Sequence, residues 1–414
     1  MRSLLLCLLL VAVATAQDST VEEDATTTVS SAAPPVVSSA LPPLTSTIPP
    51  PRTSPRPVQT TTVPDYQNSQ YCQCNPSSIW LDIVFLVDSS KAMATGVEDV
   101  LGTIRSILYS LTLGGNAYQS RAAIVTYADQ VNTNYDFGSI KTLDDVDALK
   151  LPLYSEAGEN IAGAMGNAKD IFARGLTSAN RTNVRQVMVI IASSYNGDVA
   201  SDPAKIAQQF KEDGGSIMTI EYVQQGQSIL PSFSALASPG YSISTRNSSA
   251  WDGSFIIYAF CDMNCFCLTG QTSYHLTSER ENPLGGCYDP VTAKAVYRAA
   301  KITCRDKFGF VATPHDADKQ FFLMGRFSGS KIPYWIGYEY DGSKFNWADN
   351  VTDSSWTNWA NGQPDTTGNK NCVYSVQTSG FQSRWYSASC QDILKADYQY
   401  VCELRPCDST YYCF

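Results

Sequence analysis

Residues 356–390 read WTNWANGQPDTTGNKNCVYSVQTSGFQSRWYSASC, and this stretch predicts a recognition loop on which the fold of the second half of the chain depends. Gln363, Pro364 and Asp365 place a side-chain amide and a carboxylate on either side of a proline. A cis Gln363-Pro364 bond would direct both oxygens the same way, and only about 5–6% of X-Pro bonds in folded proteins are cis. The tryptophans of the stretch supply rigid apolar area around this tripeptide.

The motifs around the loop resemble those of the C-type lectin-like domain family across about residues 265–406. WIGY at 335–338 is similar to the family's core strand, Trp359 precedes the Gln-Pro-Asp loop as in the family, and YVCE at 400–403 is similar to its closing strand. Several motifs in the family's order are a more specific signal than any one of them. The resemblance implies an α+β lectin-like domain at 266–406.

The cysteine content predicts a disulfide-bonded extracellular protein. Of the thirteen cysteines, Cys7 lies in a predicted signal peptide, which leaves an even number, twelve. Counting does not give the connectivity, but the resemblance implies the pairs Cys304–Cys402, Cys372–Cys390 and Cys267–Cys287. We expect the ends of the preceding domain to be tied together by Cys72, Cys74, Cys261 and Cys265, and a tail at 407–414 to be closed by Cys407 and Cys413. The CxxxCxC cluster at 261–267 also has the residues of a zinc site, but an oxidising compartment favours disulfides.

The first 71 residues belong to neither predicted domain. Arg2, an apolar run at 4–13 and the small residues at 14–16 have the layout of a secretory signal peptide at 1–16, with cleavage before Gln17. Residues 17–71 are rich in Ser, Thr and Pro and lack periodicity, so they cannot bury enough surface to fold. They predict a stiffened, O-glycosylated stalk or, equally, an unmodified disordered linker. We therefore expect a secreted protein.

Charge and hydrophobicity exclude two classes of partner. The formal net charge is −10, whereas nucleic acids and anionic membranes require clustered Lys and Arg. Beyond the signal peptide, the longest apolar runs, at 83–87 and 187–192, are far shorter than the roughly 20 residues that cross a bilayer. We expect neither nucleic-acid binding nor membrane insertion.

Residues 72–265 alternate strand and helix patterns. Apolar runs predict strands at 81–87, 122–127, 186–192 and 216–223, and amphipathic stretches predict helices at 97–111, 160–174, 204–211 and 249–260. Continuous Val and Ile runs without polar alternation fit strands that are buried on both faces. The alternation predicts a doubly wound, Rossmann-like α/β domain, in which helices cover both faces of a mainly parallel sheet.

The first of these strands, which ends in DSS at 88–90, resembles the von Willebrand factor type A domain. That family holds a divalent metal through a DxSxS motif with a distant Thr and a distant Asp, and only Asp88 and Ser90 match. Ala92, Glu159 and Ala192 stand at the other three positions. Mg²⁺ requires near-ideal octahedral oxygen geometry, so we expect the metal site to be lost. Asp88 and Ser90 would instead cap a helix start and satisfy buried backbone donors. The domain would then bind protein through its surface or act as a rigid spacer.

The lectin-like loop retains few calcium ligands. In the family, Ca²⁺ is held by the side chains that flank the proline, a Glu shortly before a cysteine, and the Asn and Asp of a WND triplet. The Gln-Pro-Asp form implies galactose-type ligands, and Gln363 and Asp365 match it. Lys370 replaces the Glu, and WYS at 385–387 replaces WND. Because calcium takes about six to eight oxygens, we expect no calcium and no magnesium, with Lys370 paired to Asp365 in place of the ion.

Two interpretations of the loop remain open. In the first, a lectin binds carbohydrate without calcium, and its contact residues are Gln363, Asp365, Lys370 and Asn371, with Trp347 or Tyr386 stacking on a sugar ring. In the second, the scaffold displays the loop for protein or matrix contacts. The order of stalk, type A domain, lectin-like domain and cysteine tail resembles the secreted C-type lectins of nematodes. That resemblance implies glycans or glycoproteins of microbial surfaces or extracellular matrix as partners, and a role in innate immunity.

The remaining motifs predict modification rather than catalysis. His275 and His315 lie in polar stretches typical of surface loops, and the sequence contains no GxSxG, HExxH or phosphate-binding glycine motif. We therefore expect no enzymatic activity. Asn180, Asn247 and Asn350 begin sequons for N-glycosylation, and the third lies near the recognition loop.

Overall fold

The computed structural model describes residues 72–176, 181, 183–195, 203–224, 230, 233–246, 253–275, 283, 285–327, 332–352, 355–380, 382–394 and 397–413. The predicted signal peptide, the predicted stalk and the sequon residues Asn180 and Asn247 lie outside these ranges.

The first domain is a six-stranded sheet with helices on both faces. Its elements, in chain order, are β1 (Leu81–Asp88), α1 (Gly96–Tyr109), β2 (Arg121–Tyr127), β3 (Val131–Tyr135), α2 (Leu143–Asp147), α3 (Ile161–Leu176), β4 (Arg185–Ala192), α4 (Pro203–Glu212), β5 (Ser216–Glu221), β6 (Ser242–Ser244) and α5 (Gly253–Met263). The strand order is β3-β2-β1-β4-β5-β6, and only the β2–β3 pair is antiparallel. The predicted doubly wound α/β class is confirmed.

The central strand β1 shows why these strands lack polar alternation. All eight of its residues are buried. Ile83 and Phe85 pack into an apolar core with helices α1 and α5, whereas Val84 and Leu86 pack into a second core with α3 on the opposite face. A strand that contributes to two cores must be apolar at successive positions, which is the pattern of the sequence.

The second domain is built on a mostly antiparallel sheet. Its elements, in chain order, are β7 (Thr272–Ser273), β8 (Cys287–Ala295), α6 (Tyr297–Asp306), β9 (Gly309–Val311), α7 (Ala317–Met324), β10 (Tyr334–Tyr340), β11 (Phe345–Trp347), β12 (Cys372–Ser379), β13 (Gln382–Ala388) and β14 (Tyr398–Leu404). The main strand order is β13-β12-β10-β14-β8-β7, with β11 beside β10 and β9 beside β14. One core contains α6 and Trp335, and the other contains Trp385 together with the recognition loop. The predicted α+β class is confirmed.

Six disulfides connect the twelve cysteines that lie in the described residues. The three pairs implied by the family resemblance are present, and they are Cys267–Cys287, Cys304–Cys402 and Cys372–Cys390. The remaining pairs are Cys72–Cys265, Cys74–Cys261 and Cys407–Cys413, so the ends of the first domain are tied together and the tail is closed, as predicted. Across the described residues, no helix combines the length and apolarity needed to span a membrane.

A small aromatic core joins the two domains and the tail. Trp80 is 1% exposed, and its ring centroid lies 5.6 Å from that of Phe266 and 5.5 Å from that of Tyr412. Phe266 and Cys407 exchange two backbone hydrogen bonds, at 3.1 and 2.9 Å. The start of the first domain, the junction and the tail therefore share one packed cluster. The ends proposed for the domains, 72–265 and 266–406, remain predictions.

Candidate functional site

The Gln-Pro-Asp loop is held against strand β13. The Gln363-Pro364 peptide is cis. Gln363 Oε1 accepts hydrogen bonds from Ser387 N at 2.8 Å and from Asp365 N at 3.3 Å. Asp365 N also donates to Ser387 Oγ at 3.2 Å. The amide oxygen of Gln363 therefore satisfies backbone donors of the protein and does not converge with the Asp365 carboxylate on a common ligand.

Lys370 forms the predicted ion pair with Asp365. Lys370 Nζ donates to Asp365 Oδ2, and Asp365 Oδ1 accepts from Thr367 N at 3.0 Å and from Thr367 Oγ1 at 2.6 Å. These hydrogen bonds, with that of Lys370 the strongest influence, lower the pKa of Asp365 to about 2. The carboxylate is therefore ionised at neutral pH, and the Lys370 ammonium supplies a positive charge beside it.

This donor set does not fit a calcium ion. The Gln363 amide oxygen is used by backbone donors, and the position of the WND triplet offers only the Ser387 hydroxyl instead of an amide and a carboxylate. Calcium takes about six to eight oxygens. A unit positive charge about 4 Å from the Lys370 ammonium would be repelled by on the order of 4 kcal/mol at an effective dielectric near 20.

The two predicted stacking residues lie elsewhere, which corrects the sequence analysis. Trp347 is only 3% exposed, and its ring stacks on Tyr338 with centroids 4.0 Å apart, so it presents no open face to a sugar. Tyr386 stacks on Tyr374 with centroids 5.5 Å apart. Because side chains alternate along a strand, Tyr386 lies on the opposite face of β13 from Ser387 and hence from Gln363.

Asn371 lies in a groove that Gln363 does not line. Asn369 and Asn371 line a groove of about 710 Å³ between the loop and helix α6, whereas Lys370 between them reaches Asp365. Gly368 and Asn369 both have φ of 64°, a left-handed conformation that glycine and asparagine adopt most readily. Asn371 O accepts a hydrogen bond from Tyr340 N at 2.7 Å, which fixes the end of this turn on strand β10.

In the first domain, the side-chain oxygens of Asp88 are used by neighbouring donors. Oδ1 accepts from Ser90 N at 2.9 Å, and Oδ2 accepts from Ser193 N at 3.0 Å and from Ser193 Oγ at 2.5 Å. The prediction that Asp88 satisfies buried backbone donors is confirmed. Ala192, which stands at the family's aspartate position, packs in an apolar core. The next residue, Ser193, contacts Asp88 instead.

Ser90 corrects a second expectation for this site. It begins the short 3₁₀ turn Lys91–Met93, but its side chain makes no capping hydrogen bond. The buried Ser90 hydroxyl has no partner in the part of the chain that the structure describes. Glu159 is half-buried, and its charge acts with that of Asp88 on Tyr127, whose pKa is raised mainly by burial. One carboxylate already saturated by hydrogen bonds, one hydroxyl and Glu159 do not fit the octahedral demand of Mg²⁺.

His315 is less exposed than its polar sequence context predicts. His315 Nε2 lies 2.6 Å from Asp349 Oδ2, and its side chain is only 21% exposed. The same carboxylate oxygen accepts from Thr313 Oγ1 at 2.7 Å. Burial alone raises the pKa of Asp349, but the hydrogen bond and charge of His315, with the bonds from Thr313 and Val351 N, lower the pKa overall. The other histidine, His275, is exposed as predicted.

A buried ion pair lies beside this cluster, and the sequence analysis did not anticipate it. Lys319 Nζ lies 2.7 Å from Glu403 Oε1, with side-chain exposures of 6% and 4%. Thr313 N donates to Glu403 Oε2 at 3.1 Å. Lys319 and Gln320, next to the apolar second half of helix α7, are the only sequence signal for this pair.

Two protein-family models match the chain. The von Willebrand factor type A domain matches residues 82–251, and the lectin C-type domain matches residues 293–404. Both are domain classes that typically have no enzymatic activity.

Two curated relatives match the chain over different lengths. The chain is 26% identical over 389 residues to C-type lectin domain-containing protein 160 of Caenorhabditis elegans. The aligned region covers 85% of this chain and 57% of that protein. The chain thus spans just over half the length of this relative. It is 31% identical over 125 residues to lactose-binding lectin l-2 of Anguilla japonica, across 29% of this chain and 72% of that lectin.

Among solved structures, the C-type lectin domain of murine dendritic cell inhibitory receptor 2 in complex with N-glycan matches with 19% identity and a TM-score of 0.28, over 34% of this chain and 98% of that one. The two matching family models and the two sheets described above agree on the order of domains in this chain. The chain belongs to the C-type lectin family, and a von Willebrand factor type A domain precedes its lectin domain.

Proposed function

We propose that this chain is a secreted recognition protein that binds carbohydrate of the galactose type through its Gln-Pro-Asp loop without calcium. The observation that carries the proposal is the ion pair between Lys370 and Asp365, which supplies internally the positive charge that a metal would supply. Membership of the lectin family supports carbohydrate as the ligand class, and the eel relative is named for lactose binding.

The loop offers both kinds of group that sugar hydroxyls require. Gln363 Nε2 has no hydrogen-bond partner within the described ranges, so it can donate two hydrogen bonds. The Lys370 side chain is 43% exposed and the Asp365 side chain 32% exposed, so a hydroxyl can bond both. Hydrogen bonds to charged groups are stronger than neutral ones, which gives this pair the largest share of the binding energy.

The type A domain acts in this proposal without a bound metal, as a rigid support for the lectin domain. Secretion, N-glycosylation at the exposed Asn350 and a role in innate immune recognition of microbial surfaces or matrix belong to the same proposal. The disulfide bonds support an extracellular location, because such bonds form in oxidising compartments.

A second candidate is a scaffold that binds protein or matrix and no sugar. The burial of Trp347 and the position of Tyr386 favour it, because neither predicted aromatic side chain can stack on a sugar held by Gln363.

Retention on immobilised lactose, with a chelator present throughout, tests the proposal. We expect the protein to be retained, and Gln363→Glu to lose most retention because it removes the amide donors but keeps the oxygen that Ser387 N requires. Gln382→Glu, on the exposed start of β13, is the matched control and should bind normally.

Three results would contradict the proposal. Retention that the chelator abolishes would indicate a bridging metal. Free passage through lactose and a broad glycan panel would favour the scaffold. A clear rise in melting temperature with millimolar calcium would also contradict it, since a ligand at 100 times its Kd adds about 2.7 kcal/mol to stability.

A further inference from the structure

Helix α6 presents a row of basic side chains to the groove beside the loop. Arg298, Lys301 and Arg305 line it, opposite Asn369 and Asn371. The three cations are spaced i, i+3 and i+7, so they share one face of the helix. This face is locally positive in a chain whose formal net charge is −10.

The acidic side chains nearby compensate these cations only in part. Lys301 Nζ lies 2.7 Å from Glu339 Oε2, but the two side chains are 57% and 39% exposed. Arg305 Nη2 lies 3.4 Å from Asp306 Oδ1, and the two side chains are 73% and 66% exposed. Exposed pairs of this kind are weak because solvent screens them, so an incoming anion can replace them.

Arg298 is the side chain of the groove that is best suited to bind an anion. Its backbone N–H donates to Cys390 O at 3.2 Å, which fixes the start of the helix against the disulfide. Its guanidinium has no hydrogen bond or ion pair within the residues that the structure describes. A planar guanidinium binds carboxylate or sulfate through two parallel hydrogen bonds, which a lysine cannot do.

The groove and the Gln-Pro-Asp loop are connected through three consecutive residues. Asn369 and Asn371 line the groove, and Lys370 between them contacts Asp365. Two residues of chain span at most about 7 Å even when fully extended, so adjacent units of one glycan can reach both places. The groove volume of about 710 Å³ lies within the range of small-molecule sites.

We propose that this groove binds an acidic sugar unit, bearing a carboxylate or a sulfate, next to a neutral galactose-type unit held at the Gln-Pro-Asp loop. Arg298 pairs with the anion, Arg305 adds positive charge, and the amides of Asn369 and Asn371 bond the hydroxyls of the ring. The inference rests on the proposed function for the neutral unit, but the acidic unit is recognised by different residues.

Titration calorimetry with three probes tests the groove: lactose, lactose sulfated at the 3′ position and 3′-sialyllactose. In low salt, at least one charged probe should bind about tenfold more tightly than lactose, the effect of one charge-assisted hydrogen bond. Raising the ionic strength should reduce this advantage because the groove is open to solvent. The sulfated and sialylated probes distinguish a sulfate from a carboxylate as the preferred anion.

Arg298→Gln should remove the preference for charged probes and leave lactose affinity unchanged. Lys307→Gln is the matched control, because it removes one positive charge after the end of the same helix from a residue that does not line the groove. Gln363→Glu should weaken all three probes.

The outcomes distinguish failure of the groove proposal from failure of the loop proposal. Equal affinity for charged and neutral probes, or a charge preference that survives in Arg298→Gln, overturns the groove and leaves the loop proposal intact. Binding of a charged probe that depends on Arg298, without any lactose binding, overturns the loop proposal and supports the groove. Failure of all three probes overturns both.

Discussion

Gln73 N donates a hydrogen bond to Asp408 Oδ2 at 3.0 Å, although the two residues lie 335 positions apart. Gln73 stands between Cys72 and Cys74, which are bonded to the end of the type A domain. Asp408 follows the last strand of the lectin domain and also pairs with Arg405 at 2.9 Å. The tail after the second domain is therefore hydrogen-bonded to the start of the first, so the two domains are connected at two places in the chain.

Asp408→Asn should weaken this connection. The carboxylate accepts from Gln73 N with one oxygen and from Thr410 N and Tyr411 N with the other, and an amide offers only one acceptor. A hydrogen bond to a charged group contributes about 1.5–3 kcal/mol, so we expect hydrogen exchange at the Gln73 amide to accelerate by about 10- to 100-fold. Asp306→Asn, at an exposed site, is the control. Unchanged exchange at Gln73 would show that the bond does not hold the tail.

Lys370→Met should raise the pKa of Asp365. The pKa is about 2 because of hydrogen bonds from Lys370 and Thr367, so without Lys370 it should rise toward the ordinary value near 3.9 while Thr367 holds it somewhat lower. NMR titration of the carboxyl carbon measures it. Asp341 is an internal control, because backbone N–H groups of Lys344 and Ser343 lower its pKa independently of Lys370.

The direction in which stability changes with pH follows from the lowered pKa of Asp365. In the folded wild-type protein the contribution of Asp365 is present above about pH 4 and is lost as the pH falls toward 2. In Lys370→Met the loss should occur at higher pH. An Asp365 titration unchanged by the substitution would contradict the ion pair.

His315→Gln should shift acid unfolding to higher pH. The pKa of the buried Asp349 is lowered by His315 against the effect of burial, so without the imidazole burial should prevail and the pKa should rise. A lowered carboxyl pKa stabilises the folded state above the unfolded pKa, and that stability is lost as the pH falls through the folded pKa. We expect the midpoint, followed by tryptophan fluorescence, to rise by roughly 0.5–1 pH unit. His275→Gln should leave it unchanged, and equal shifts in both variants would refute this role of His315.

Lys319→Met and Lys301→Met compare two ion pairs with the same 2.7 Å separation and different burial. Lys319 and Glu403 are 6% and 4% exposed, whereas Lys301 and Glu339 are 57% and 39% exposed. Removing one partner of a buried pair costs about 3–5 kcal/mol, and an exposed pair is worth at most about 1 kcal/mol. Urea unfolding should show this difference. Adding Glu403→Gln to Lys319→Met should restore part of the loss, and a similar cost for both single variants would show that burial is not decisive.

Local patterns were sufficient to predict much of the fold. The uninterrupted apolar run of β1 indicated a strand with a core on each face, which is where Ile83 and Val84 pack. The Lys370–Asp365 pair was also predictable, because both positions are defined by their distance from a proline and a cysteine in a family pattern. The disulfide between helix α6 and strand β14, Cys304–Cys402, followed from the same resemblance.

Errors arose where a residue's role depends on chain segments far from it in sequence. Trp347 lies in a polar stretch without periodicity, so its burial against Tyr338 depends on the pairing of β10 with β11. The groove was missed because Arg298 on α6 and Asn371 in the loop are 73 positions apart (371 − 298). Near Asp88, the distant family position was assigned to Ala192, but the residue that contacts Asp88 is the next one, Ser193. Adjacent residues of a strand face opposite sides of the sheet, so an error of one position selects the wrong side chain.

The turn of Asn369, Lys370 and Asn371 joins the ion pair to the groove, so its length matters for both. Gly368 and Asn369 adopt the left-handed conformation in this turn. A residue added or removed ahead of Cys372 would displace Lys370 from Asp365 and the two asparagines from the groove together. Natural variants of this chain should therefore keep the length of this turn, because a change would alter both sugar sites at once.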